Sequence, residues 1–199
     1  MNNFLALIFN TKEKNRKKIE KEKSIIRKNI KSEKLKITSE EKNLAAEKTF
    51  NKLEKLPEFQ KARNVLMYWS MPDELPTHDF VVKWSETKQM LLPIVKDNDM
   101  LIKPFSSKKE LQQGKYGIWE PDVQKEFFEK IDLVIVPGIA FDKQKSRLGR
   151  GKGYYDKYLN SRELMKIGIC YDFQLLNEIP TDLFDVKMDK IITPSEIIE

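Results

Sequence analysis

The run Leu133-Val134-Ile135-Val136-Pro137 decides how this chain folds. Four consecutive apolar residues, three of them β-branched, leave no alternate polar positions to face water, so a strand built from them must be covered on both sides. That is the pattern of a central strand in a mostly parallel sheet between helical layers. Around it, short apolar runs alternate with polar connectors: Val65 to Trp69, Met90 to Val95, Met100 to Phe105, Lys166 to Phe173 and Lys190 to Thr193 are predicted strands. Helical spacing fits Asp79 to Trp84, Gln124 to Lys130 and Tyr154 to Met165 between them. Upstream, Thr38 with Glu41 has the form of a capping box, and Ala46, Phe50 and Leu53 mark one face of a helix that must stop before Pro57. The expected architecture is a layered α/β fold, a mostly parallel sheet flanked by helices, in a single domain with a helical N-terminal extension.

A chain of 199 residues with 40% hydrophobic side chains suits one core of ordinary size. Seven glycines and one cysteine exclude collagen and a disulfide scaffold, while eleven Phe, six Tyr and three Trp supply too much to bury for wholesale disorder. No apolar run approaches the ~18 residues needed to span a bilayer, so a cytoplasmic address is expected; the chain is also expected to be a monomer. Cys170, within the apolar run Ile167 to Phe173, reads as a small buried hydrophobe.

The net charge of +6 invites a nucleic-acid reading, but its distribution argues against one. Residues 1 to 36 hold 12 Lys or Arg against 4 Glu, whereas the remainder is slightly acidic. Thr11 to Lys23 contains a single apolar side chain, Ile19, and reads as a solvated tail or frayed helix. Residues 1–22 are therefore taken as a basic N-terminal extension and 23–199 as the α/β domain. From Ser24 onward Ile25, Ile26 and Ile30 recur at helical spacing, which places Lys23 and Arg27 one turn apart, where they could hold an anion.

Three of the seven glycines fall within Arg147-Leu148-Gly149-Arg150-Gly151-Lys152-Gly153-Tyr154-Tyr155-Asp156. Glycine permits positive φ and close approach, so successive N–H groups can line an anion site. Arg147, Arg150 and Lys152 add three positive charges, and a helix starting at Tyr154 would bring its positive dipole end beside them. The combination suits a polyphosphate, with a basic surface turn as the plainer reading. It is not a Walker loop, because Gly153 follows Lys152 where Ser or Thr is required. Asp156 and Asp185 are carboxylates of the kind that hold Mg²⁺ beside phosphates, or that simply cap turns.

Taken with that loop, the segment Val136-Pro-Gly-Ile-Ala-Phe-Asp142 closely resembles the signature of the 5-formyltetrahydrofolate cyclo-ligase (methenyltetrahydrofolate synthetase) family. The resemblance extends in order through Lys23 to Arg27, Tyr68-Trp-Ser-Met-Pro-Asp-Glu74, Tyr116-Gly-Ile-Trp-Glu-Pro121, Asp172-Phe-Gln174 and Asp185, over about residues 23 to 194. It implies an enzyme that cyclises 5-formyltetrahydrofolate to 5,10-methenyltetrahydrofolate with ATP and Mg²⁺, releasing ADP and phosphate through a phosphorylated formyl intermediate. The alternative is a non-catalytic nucleotide- or nucleic-acid-binding relative.

Carried over residue by residue, the resemblance implies ATP contacts from Lys23, Arg27 and the loop Arg147, Leu148, Gly149, Arg150, Gly151, Lys152, Gly153, Tyr154 and Tyr155. It implies substrate contacts from Arg27, Trp69, Glu74, Tyr116 and Arg150 to Tyr154, with Glu74 accepting from the pterin N–H groups and Trp69 and Tyr116 packing around the folate or filling the core. Catalytic work would fall on Arg150, Lys152 and Tyr154, and metal binding on Asp156 and Asp185. Two positions depart from the family pattern: Ser146 stands where Gly is usual, which puts the turn into the loop in question, and Phe184 stands where many members have His. His78, the single histidine, reads as a surface residue or helix-start contact.

Overall fold

The computed structural model describes residues 2–97, 99–114, 117, 119–122, 126–160 and 162–199, with side chains from residue 13 onward. In chain order its elements are α1 (Asn2–Lys34), α2 (Ser39–Leu53), α3 (Pro57–Lys61), β1 (Asn64–Leu66), α4 (His78–Trp84), β2 (Gln89–Lys96), β3 (Asp99–Pro104), β4 (Leu111–Gln113), β5 (Trp119–Pro121) and β6 (Leu133–Pro137). There follow β7 (Ala140–Asp142), β8 (Arg147–Leu148), α5 (Tyr154–Leu159), β9 (Met165–Ile169), β10 (Leu175–Leu176), β11 (Lys190–Ile192) and β12 (Ile197–Ile198).

Among the described residues the main sheet has the order β12-β11-β9-β6-β1-β2-β3. The five strands from β11 to β2 are mutually parallel, and β12 and β3 add antiparallel edges. β6 lies at the centre, and its side chains part as a strand covered on both faces requires: Leu133 and Ile135 enter one core cluster, Val134 and Val136 the other. The first face carries α2, α3 and α4 through Phe50, Leu53, Phe59 and Phe80, with Phe50 and Phe80 stacked at 4.3 Å. The second is covered by α5 and by Phe141 of the small sheet β10-β7-β8, rather than by a full helical layer. The α2 start is the expected capping box, Thr38 Oγ1 accepting from the Glu41 N–H and the Thr38 N–H donating to Glu41 Oε2.

Several sequence expectations need correction. Residues 126–130 are not helical, and Gln124 with Lys125 lies outside the described residues. Instead the Phe127 N–H donates to Ile102 O at 2.8 Å, so the segment runs along the β3 edge while Phe128 stays 85% exposed. The helix from Tyr154 ends at Leu159, because Met165 is already a strand residue paired with Leu133. The strand expected over Lys166 to Phe173 stops at Ile169, and a single helical turn, Asp172–Gln174, follows. The β1 strand stops at Leu66; the Met67 N–H still donates to Leu91 O at 2.9 Å, and Tyr68 and Trp69 are no longer strand residues. Ile25 is 52% exposed, since the inward stripe of α1 is Lys23, Arg27, Ile30 and Lys34, with Ile30 packed against Ile139, Ala140, Leu148 and Ile179. α1 carries the basic segment and this docked stripe in one helix.

β1 connects outward to β2 on one side, while β6, β9 and β11 build up on the other, so chain order reverses between β1 and β6. A crevice at the carboxyl ends of strands that part in this way is where ligands bind in open α/β sheets.

Candidate active site

A cavity of about 330 Å³ opens at that reversal point. Tyr68, Trp69 and Met71, which follow β1, form one wall with Pro93, Val95 and Met100 of β2 and β3, and Glu120 of β5. Pro137 and Gly138, at the end of β6, lead into the opposite wall made by Arg147, Gly149, Arg150 and residues 152–156. One side is mostly apolar and aromatic, the other cationic. Such a cavity suits a flat heterocycle bearing a reactive group that faces a polyanion.

The cationic wall is a tight loop. Gly151 and Gly153 have φ of 96° and 71°, in the left-handed region that an L side chain resists. The turn into the loop is made at Lys145, φ 65°, and not at Ser146. Ser146 donates its N–H to Asp142 Oδ1 at 2.8 Å, while Asp142 Oδ2 accepts from the Ile179 N–H, so serine meets no strain there. Leu148 is buried in the third core cluster, leaving only its backbone for a ligand, and its carbonyl already accepts from the Ile139 N–H. The helix beginning at Tyr154 has six residues, too few for a sizeable dipole, so the positive field comes from the side chains.

Those side chains differ in their engagements. Arg147 is buried, donates to Asp156 Oδ2 at 2.7 Å and to Pro137 O at 3.3 Å, and lies over the Tyr155 ring. Its Nε and the Tyr155 hydroxyl are buried without a partner among the described residues. Burial pushes the Tyr155 phenol far above its ordinary range, so it stays protonated. Arg150 reaches across the cavity to Asp73 Oδ1 at 2.7 Å and Glu74 Oε1 at 2.9 Å. Glu74 Oε2 accepts from the Met71 N–H at 3.0 Å, so both of its oxygens are engaged. Lys152 makes no ion pair among the described residues and is exposed. The Tyr154 hydroxyl donates to Asp97 O at 3.4 Å.

α1 locks onto this wall. Arg27 Nε donates to Gly149 O at 3.0 Å, and the guanidinium lies 3.5 Å from where a Cβ on Gly151 would stand. Lys23, buried, donates to Asp185 Oδ2 at 2.5 Å. Lys34, on the same stripe and also buried, pairs with Asp73 Oδ2 at 3.3 Å. Burial lowers the Lys34 ammonium pKa, and the neighbouring Asp73 restores only part of that. Burial would raise the Asp73 carboxyl, but Arg150 and Lys34 outweigh it and hold it below its usual value.

Asp156 reaches the segment that carries Asp185, its Oδ1 accepting from the Val186 N–H at 3.4 Å, while Asp185 Oδ2 also accepts from the Asp182 N–H at 2.7 Å. Each already has a cationic partner, Arg147 and Lys23 respectively, and no group of three or more acidic, His or Cys side chains suited to a metal occurs among the described residues. Asp156 beside the cationic glycine loop and Asp185 near it are nonetheless residues that could hold Mg²⁺, which accepts sparse protein ligation with other oxygens completing it. Phe184 is exposed beside Asp185. Tyr116 lies outside the described residues. Trp69 is both core and cavity wall, stacked between Phe105 and His78. His78 starts α4 and is half-buried, with Nε2 3.0 Å from Ser70 O.

Lys34, Asp73 and Glu120 stand at the site without having been expected there. Lys34 was marked by its place two turns beyond Arg27 on the α1 stripe, while Asp73 and Glu120 sat inside the quoted motifs without a spacing of their own.

The sequence profile of the 5-formyltetrahydrofolate cyclo-ligase family matches residues 19–194. The chain is 27% identical over 173 residues to the 5-formyltetrahydrofolate cyclo-ligase of Escherichia coli strain K12, covering 82% of this chain and 95% of that one. It is 30% identical over 153 residues to the Mus musculus enzyme of the same name, covering 68% and 75%. Among solved structures, the Aquifex aeolicus 5,10-methenyltetrahydrofolate synthetase superposes with a TM-score of 0.80 at 32% identity, covering 88% of this chain and 91% of that one. A Mycoplasma pneumoniae 5,10-methenyltetrahydrofolate synthetase gives 0.67 at 26%, covering 86% and 98%.

Proposed function

The chain belongs to the 5-formyltetrahydrofolate cyclo-ligase family, and from that premise we propose how its residues divide the work. The reaction is the ATP-dependent cyclisation of 5-formyltetrahydrofolate to 5,10-methenyltetrahydrofolate. The observation that carries our reading is that an apolar, aromatic wall and a cationic glycine loop face each other across one cavity. The folate ring lies on the first and the polyphosphate of ATP on the second.

The formyl oxygen is a poor leaving group until it is phosphorylated. Its lone pair bonds to the γ-phosphorus as the bond to ADP breaks, which leaves an imidate phosphate. N10 then attacks the formyl carbon, the C–O bond breaks, phosphate leaves with the formyl oxygen, and the N10 proton ends on the phosphate. Such phosphoryl transfer needs positioning and charge neutralisation more than a protein nucleophile. Lys152, free of an ion pair among the described residues, and Arg150 meet the charge that develops on the transferred group, while Tyr154 closes the loop side of the cavity. Lys23 and Arg27 brace the loop from α1, and Arg147 to Tyr155 line the nucleotide with backbone N–H groups. Glu74 acts through Arg150, which it holds over the cavity. Asp156 and Asp185 would hold Mg²⁺, which when bound neutralises phosphate charge.

No helix among the described residues is long and apolar enough to cross a membrane; we place the enzyme in the cytoplasm as a monomer, since one chain supplies both walls. Residues 1–22 are proposed to lie outside the catalytic unit. The test is to mix the protein with 5-formyltetrahydrofolate and Mg-ATP and follow methenyl-folate absorbance. Product must form only with ATP. Tight RNA binding with a steep salt dependence and no turnover would instead make the chain a binding relative.

A further inference from the structure

Glu120 lines the cavity yet takes no part in the division of work above. It sits on the short strand β5, is 9% exposed, and shares the cavity wall with Pro93, Val95 and Met100. Of the carboxylates lining the cavity, Glu74 is bound to Arg150 and Asp156 to Arg147, whereas Glu120 makes no ion pair within 4 Å among the described residues. Its Oε1 accepts the Val95 N–H at 3.1 Å, which fixes its direction, and no hydrogen bond is made to Oε2 among the described residues. Gly114, after β4, is what lets the carboxylate lie there, because a Cβ added at that position would overlap it. Burial raises the Glu120 pKa, and the Val95 N–H and the charge of Lys103 offset only part of the rise. An acid held in an apolar wall with spare acceptor capacity lacks donors that a ligand must bring.

Resting on the folate reading of the same cavity, we propose that Glu120 receives the amino-pyrimidine edge of the pterin, its carboxylate accepting hydrogen bonds from the 2-amino group and the ring N3–H. That edge lies at the end of the bicycle remote from the carbon bearing the side chain. Placing it on Glu120 directs N5 and its formyl group away from the acid and toward Arg150 and Lys152. Glu74, to which the family resemblance gives that role, has its oxygens engaged by Arg150 and the Met71 N–H, and this favours Glu120 in our assignment. Glu120 is thus a specificity residue: it selects a ring that offers two adjacent donors.

Calorimetric titration of the full chain with 5-formyltetrahydrofolate, without nucleotide, tests this. Glu120→Gln turns one acceptor into a donor facing the pterin donors and should weaken binding about ten- to one-hundredfold, the range for losing charge-assisted hydrogen bonds. In turnover the loss should lie in KM rather than kcat. An analogue carrying hydrogen in place of the 2-amino group should lose much less affinity between wild type and variant. Gly114→Ala, which displaces the carboxylate without removing it, should reproduce the rise in KM and serves if Glu120→Gln does not fold. Unchanged affinity, an equal loss with the analogue, or a fall in kcat at constant KM would overturn the assignment. If the wild type forms methenyl-folate and these results still fail, only the role of Glu120 falls; if it forms none, the folate reading itself falls.

Discussion

Replacing Arg147 by Met deletes a guanidinium whose side chain is 4% exposed while keeping much of its apolar stem. Asp156, 18% exposed and 2.7 Å away, is left as a largely desolvated carboxylate whose remaining partner is the Val186 N–H. Removing one member of a buried pair typically costs about 3–5 kcal/mol, because the survivor stays uncompensated. Water still reaches Asp156, so a cost at or somewhat below the low end of that range, about 2–3 kcal/mol, is expected. For a domain of this size that corresponds to a fall in Tm of about 4–12 °C. Urea denaturation of wild type, Arg147→Met, Asp156→Asn and the double variant gives the coupling directly. The double variant should recover at least half of the stability that Arg147→Met loses, because the orphaned charge is gone. If it is no more stable than Arg147→Met, or if Arg147→Met unfolds at the wild-type urea concentration, the pair does not hold the loop as argued.

Arg150→Ala removes a cation from the cavity rim and should lower kcat/KM by at least about a hundredfold, the scale for losing one charge-stabilising donor; unchanged turnover would free Arg150 of its role. Asp156→Asn should raise the Mg²⁺ concentration required for half-maximal rate, and an unaltered metal titration would count against metal binding there. Asp73 has a folded pKa below its unfolded value near ~3.9, so it contributes stability above that value and loses it as pH falls through the folded one. Asp73→Asn should therefore be less stable than wild type at neutral pH and converge on it in acid; curves that stay parallel from pH 7 to pH 2 would dispose of the argument.

The sheet was legible because its central strand carries the evidence in its own residues: Leu133 to Val136 alternate between two cores, and a run so short and so rich in β-branched side chains suits a strand better than a buried helix. Gln124 to Lys130 misled because a short mixed segment fits a helical spacing as readily as an extended one, and its docking on Ile102 O is a tertiary contact with no local mark. The glycine loop was visible as composition, and its backbone follows the expectation at Gly151 and Gly153, yet the short α5 removes the dipole that was expected to help it. Ser146 looked like a misfit only because the left-handed residue was placed one position too late; Lys145 bears it. Asp73 and Glu120 gave no sign, since what distinguishes them is which partner each carboxylate meets in the fold, and that depends on segments 77 and 25 residues away.

The two walls of the cavity come from stretches of chain that do not overlap: one ends at Glu120 and the other begins at Pro137. Inheritance can therefore edit one wall without disturbing the other, and a drift in the loop need not retrain the aromatic floor. What ties the two territories is the reach of Arg150 to Asp73 and Glu74. A lineage that altered any of those three would have to renegotiate the border between the two walls.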